Sequence, residues 1–83
     1  MPDDAISATI FSLLAARRAG ATICPSDVAR ALAPDDAAAW RALMPEVRAV
    51  AAQLADAGRL RVTRGGVEVH AQSPGGPIRL GRP

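Results

Sequence analysis

The chain has one cysteine, Cys24, and one histidine, His70, among 83 residues. A lone cysteine closes no internal disulfide, which agrees with a reducing compartment. One cysteine and one histidine also fall short of the ligand set of a structural zinc site. No run of about 18 consecutive apolar residues occurs, so no segment reads as a membrane span. The opening Met-Pro-Asp-Asp is acidic where a secretory leader is basic, and the expected location is the cytoplasm. Lysine is absent, so every basic side chain is an arginine. There is no glycine-rich phosphate loop, no metal-ligand spacing and no internal repeat. Catalysis is not expected either. A nucleophile needs a base within reach, and the one histidine reads as an ordinary exposed strand residue. Cys24, beside a proline and apolar neighbours, reads as a small buried side chain. No cofactor is expected.

What is present fits one small globular domain. Hydrophobic residues at 49% and charged ones at 22% separate the chain from disordered sequences. Its organising stretch runs from Pro45 to Val69. Val47, Val50, Ala51 and Leu54 recur at the spacing of one helical stripe. Gly58 follows where a left-handed C-terminal cap belongs. Two alternating strands then flank Gly65-Gly66, a pair suited to a tight turn with positive φ angles. Counting outward from that turn sets Val62 opposite Val69 and Arg64 opposite Val67, with Leu60 on the same side. Arg59, Arg61, Thr63, Glu68 and His70 then point the other way. Alternation assigns Arg64 to the inner face, but its place beside the turn is expected to let it swing to solvent.

Before this stretch, residues 4–18 read as a first helix with Ile6, Ile10, Leu13 and Leu14 on its apolar face, widened by Phe11 and Ala15. Asp3 or Asp4 suits its N-terminus, Arg17 and Arg18 its C-terminus, and Gly20 its stop. Ala21 to Cys24 reads as a short strand that pairs with the later hairpin. Ser26 is the expected N-cap of a second helix that turns Val28, Ala29 and Leu32 inward and ends at Pro34. Asp35 or Asp36 caps the next helical turn, which carries Trp40. Pro45 favours a break or kink near Leu43-Met44, while one kinked helix from Asp36 to Ala57 satisfies the same pattern. Pro77 to Leu80 reads as a final strand along the wing, with Ile78 and Leu80 on one face.

These elements define an α+β winged helix-turn-helix of three helices and a small antiparallel sheet, a single domain over residues 1–83. The expected core is Ile6, Ile10, Leu13, Leu14, Ile23, Val28, Leu32, Trp40, Leu43, Val47, Val50, Leu54, Leu60, Val62, Val69 and Ile78.

Charge divides unevenly along the chain. Residues 1–58 carry five arginines against seven acids, a net −2, and residues 59–83 carry five arginines against one acid, a net +4. In a winged helix the second helix of the motif enters the major groove and the wing lies on the backbone. The outer side of the third helix holds Pro45, Ala49, Ala52 and Asp56, which are poor in donors, with Arg48 and Gln53 on its flanks as the groups able to pair with guanine or adenine. Arg59, Arg61, Arg64 and Arg79, with Arg82 beyond and Arg41 near the start of the helix, are the candidates for phosphate. The expected partner is duplex DNA, in a regulatory role. The alternative is a protein-interaction module that uses the donor-poor face of the third helix. A homodimer is a further option.

The runs TICPSDVARAL, WRALMPEVRAVAAQLADAGRLRVTRGG and GPIRL resemble a small bacterial family known as domain-of-unknown-function family 3253. The likeness covers about residues 5 to 80, and its most specific blocks are Ile23-Cys24-Pro25-Ser26 and Trp40 to Pro45. The chain departs from that pattern in carrying Ala37 to Ala39 before Trp40. The resemblance implies a winged-helix-like domain and brings no function with it.

Overall fold

The structure, a computed structural model, describes residues 3–83, and Met1 and Pro2 of the acidic opening lie outside the described residues. Three helices come first: α1 (Asp3–Ala15), α2 (Pro25–Leu32) and α3 (Ala37–Asp56). Three short strands follow: β1 (Arg61–Arg64), β2 (Val67–Glu68) and β3 (Arg79–Gly81).

Helix α1 buries Ile6, Ile10 and Leu14, one residue per turn, and its first turn holds Asp3 and Asp4 at the positive end of the dipole. It stops at Ala15, short of the expected Arg18. A further turn would need the Leu14 carbonyl to receive the N–H of Arg18. That carbonyl instead accepts the Arg17 N–H at 3.1 Å and Nη2 of Arg82 at 2.9 Å. Arg17 and Arg18 therefore lie in the exposed turn that Gly20 closes at φ +84°.

Helix α2 begins two residues earlier than an N-cap at Ser26 would set it. Pro25 takes the first helical position, where a missing N–H costs nothing, and Cys24 is the N-cap. The Cys24 N–H donates to Asp27 Oδ2 at 3.0 Å, which is the returning half of a capping box. Helix α3 starts at Asp36, whose Oδ1 accepts the Ala39 N–H at 3.0 Å, so Ala37 to Ala39 form its first turn. No break occurs at Leu43-Met44: the helix is continuous with Pro45 inside it. Pro45 leaves the Arg41 carbonyl without its i+4 donor, and both residues are exposed, so water can serve that carbonyl. The helix ends as the glycine predicts. Gly58, at φ +73°, donates to Ala55 and Arg59 donates to Leu54, the paired bonds of a Schellman motif.

The sheet is antiparallel in the order β2-β1-β3. Thr63 pairs with Glu68 and Arg64 with Val67 across Gly65 and Gly66, whose φ angles are +59° and +84°, and the Val69 N–H reaches the Val62 carbonyl. That is the expected register. β3 returns along the other edge of β1, with Val62 opposite Leu80. The strand expected over Ala21 to Cys24 shrinks to one bridge, Ile23 with Leu80, and it adjoins β3 rather than the hairpin. The ladder cannot extend past it, because the Cys24 N–H is turned to Asp27 and Pro25 has none.

One face of this sheet closes the core. Ile23, Leu60, Val62, Ile78 and Leu80 pack with the inner sides of the three helices, and the whole forms one hydrophobic cluster. Burying those side chains is the main favourable term in folding a domain this small. Leu13, Leu32, Trp40, Leu43 and Val69, expected inside, are only partly buried at its margin. Ala29, Ala51, Ala52, Ala71 and Leu80 stand in the buried cluster that the expected core omitted. Small side chains there let helix backbones approach closely. Ala52 is 6% exposed, so it belongs to the interior and not to the outer side of α3.

Candidate nucleic-acid interface

Helix α3 packs against α2 on one side and the sheet on another, and it leaves Arg41, Pro45, Glu46, Arg48, Gln53 and Asp56 exposed. Arg48 and Gln53 flank Pro45 and the half-buried Ala49 on that side, and neither side chain makes a hydrogen bond among the described residues. Arg41 is differently placed. Its guanidinium sits 5.2 Å from the centroid of Trp40, and Arg30 of α2 covers the same ring at 4.7 Å. The two cations hold the indole at the α2–α3 junction.

The arginines of the wing and tail divide by what they touch. Arg59, exposed in the passage from α3 to β1, holds its guanidinium 5.0 Å from the centroid of the Phe11 ring of α1, a cation–π contact. Arg61 pairs with Glu68 across β1 and β2 at 3.3 Å, in the open, with half of its side chain exposed. An exposed pair of this kind is worth at most about 1 kcal/mol and is readily exchanged for another anion.

Arg64 does not swing to solvent. It donates from Nε to the Gly76 carbonyl at 2.9 Å, from Nη1 to Pro74 at 3.3 Å and from Nη2 to Ser73 at 3.0 Å. One guanidinium thus gathers three carbonyls of the loop between β2 and β3 and holds that loop against the wing. Arg79 reaches back to Thr22, with Nε on Oγ1 and Nη2 on the backbone carbonyl, both at 2.9 Å. Arg82 takes the Leu14 carbonyl at the end of α1. A planar fork of five N–H donors suits these multiple carbonyl contacts, whereas a lysine ammonium is a point charge on a flexible stem.

Of the expected contacts, then, Arg48, Gln53 and Arg61 remain presented to solvent, Arg41 and Arg59 are each half committed to an aromatic ring, and Arg64 and Arg79 fasten the fold. Arg17 and Arg18, first read as helix-end charges, are exposed, and their side chains make no hydrogen bond or ion pair among the described residues. The signal for them was available: two arginines, an alanine and a glycine after the last apolar residue of α1 mark a turn, not a helix.

Asp27 is the titrating group whose surroundings shift it. Burial alone would raise its pKa, but the Cys24 N–H and thiol, Arg79 and Arg30 together outweigh that and hold the carboxyl below its ordinary value. Its negative charge is committed to capping α2. No group of three or more metal-ligating side chains and no membrane-spanning helix occurs among the described residues.

The helix pair α2–α3, the glycine-capped passage from α3 into β1 and the three-stranded wing define a winged helix-turn-helix domain. Within that class the chain belongs to the family described as "Protein of unknown function (DUF3253)", which matches residues 3–83. No curated protein matches the chain.

Proposed function

We propose that this winged helix binds duplex DNA, with α3 against the major groove, the wing on the sugar–phosphate backbone, and a role in regulating transcription. The observation that supports it most is the state of Arg48 and Gln53: both are exposed on the side of α3 that the rest of the domain leaves open, and neither is used in the fold. Arginine pairs with guanine O6 and N7, and glutamine with adenine N6 and N7. Pro45 and Ala49 between them offer no donors, so backbone contact dominates affinity and base reading is sparse.

Binding to a random-sequence duplex, followed by fluorescence anisotropy at several salt concentrations, tests this reading. A micromolar or tighter affinity that falls linearly with salt on a logarithmic scale is expected. Replacing Arg48 and Gln53 together with alanine weakens it. An absence of binding at low salt overturns the reading and shifts weight to a protein partner on the same face. That alternative has lost Ala52 from its surface and keeps Pro45, the half-buried Ala49 and Asp56.

A further inference from the structure

The side of the sheet that faces away from the core carries the densest basic charge in the molecule. With Val62 and Leu80 buried, alternation turns Arg61, Thr63 and Arg79 outward, and the register sets Thr63 opposite Arg79 and Arg61 opposite Gly81. The turn after α1 runs beside them. Two open clefts border that turn. One, of about 410 Å³, is lined by Gly20 and Thr22 on the turn, by Arg61 and Thr63 on β1, and by Arg82 just past β3. The other, of about 580 Å³, is lined by Arg17, Arg18 and Arg79 together with the same turn.

Half of the chain's ten arginines therefore meet around one short segment. The acids near them are spoken for: Glu68 pairs with Arg61, and Asp27 caps α2. Ala19, Gly20, Ala21 and Gly81 line the clefts with little or no side chain, so a bulky phosphodiester can come close to the guanidinium groups. Arg79 and Arg82 keep donors beyond the ones spent on Thr22 and Leu14, because arginine carries five N–H groups. An anionic membrane fits less well. Docking there takes an apolar anchor, and among the described residues the exposed large hydrophobic side chain is Val67 on β2, which lines neither cleft.

We infer that the outer face of the sheet, with Arg17, Arg18, Arg61 and Arg82 around Ala19 to Thr22, is a docking surface for the nucleic-acid phosphate backbone. This rests on the DNA-binding reading, keeps Arg61 and Arg82 among the phosphate contacts, and adds Arg17 and Arg18, which the sequence presents as helix-end charges, in place of Arg59 and Arg64. Arginines at this face add counterion release, hence salt sensitivity, without sequence preference.

The test uses the double variant Arg17→Ala/Arg18→Ala, which removes no hydrogen bond of the fold, so its melting temperature is expected to match the parent's. With a random 20-base-pair duplex as probe, its affinity at low salt should fall by about tenfold, and the log–log salt slope should shrink by roughly two. Each single variant should take about half of that slope change. If the parent binds and the double variant keeps the same affinity and slope, the sheet face is not the docking surface, while the α3 reading stands. If the parent binds no duplex, both fall together. If polyglutamate displaces the duplex at equal charge concentration, the face takes acidic polypeptide and the nucleic-acid assignment is overturned.

Discussion

Arg64 lies so close to Gly75 that a Cβ built on the glycine would stand 2.9 Å from Nη1 of the guanidinium. The pair explains the shape of the wing. Gly75, at φ +136°, lets the chain fold over the arginine, and the arginine binds the carbonyls on both sides of it. Neither residue has room for the other to change.

Alanine at position 75 is expected to cost about 1–2 kcal/mol from backbone strain alone, plus the loss of the displaced arginine's hydrogen bonds. Arg64→Ala alone should cost a similar amount, and Arg64→Lys should recover little of it, since an ammonium cannot reproduce the fork. A double-mutant cycle by urea denaturation measures the coupling. Strict additivity of Gly75→Ala and Arg64→Ala would show that the two residues are not coupled.

Ala52→Glu should destabilise the domain by more than about 3 kcal/mol, because it places an unpaired carboxylate in the core. Ala49→Glu, one turn away on the half-exposed side, should change stability by less than about 1 kcal/mol. Thermal melts of the two variants side by side decide whether the interior limit of α3 runs between them. Equal melting temperatures would place Ala52 on the surface.

Acid sensitivity follows from Asp27. Its folded pKa lies below the unfolded value, so the unfolded chain takes up the proton first as pH falls. The stabilisation is complete above the unfolded pKa of about 4 and is lost as pH drops through the depressed folded value. Asp27→Asn should lower stability at neutral pH and leave a shallower dependence below about pH 4. Parallel stability–pH curves for parent and variant would sink this account.

Gly58→Ala should cost about 1 kcal/mol, since the Schellman cap needs a left-handed residue and open space around it gives a new methyl no contact in return. Amide exchange at Arg59, whose N–H closes the motif on Leu54, should quicken with the substitution. Unchanged protection there would mean that the cap does not set the end of α3.

Local features of this protein were legible in its sequence because they depend on neighbours along the chain. The apolar spacing of Ile6, Ile10 and Leu14, the stop at Gly58, the Gly65-Gly66 turn and the hairpin register all follow from residues a few positions apart. Alternation likewise put Ile78 and Leu80 on one face of β3, and both are buried. Pro45 left two helical readings open, and the structure carries one helix through it. What the tertiary structure decided was the employment of side chains that can serve either in water or inside. An alanine is at ease on both sides of a helix, and only the packed sheet and loop put Ala52 in the core while Ala49 stayed at its edge. An arginine on a strand reads as a free cation until the chain brings it a carbonyl. Arg79 finds Thr22, 57 residues away, and Arg82 finds Leu14, 68 residues away. Those contacts, invisible in any local window, determine which charges build the domain and which stay exposed.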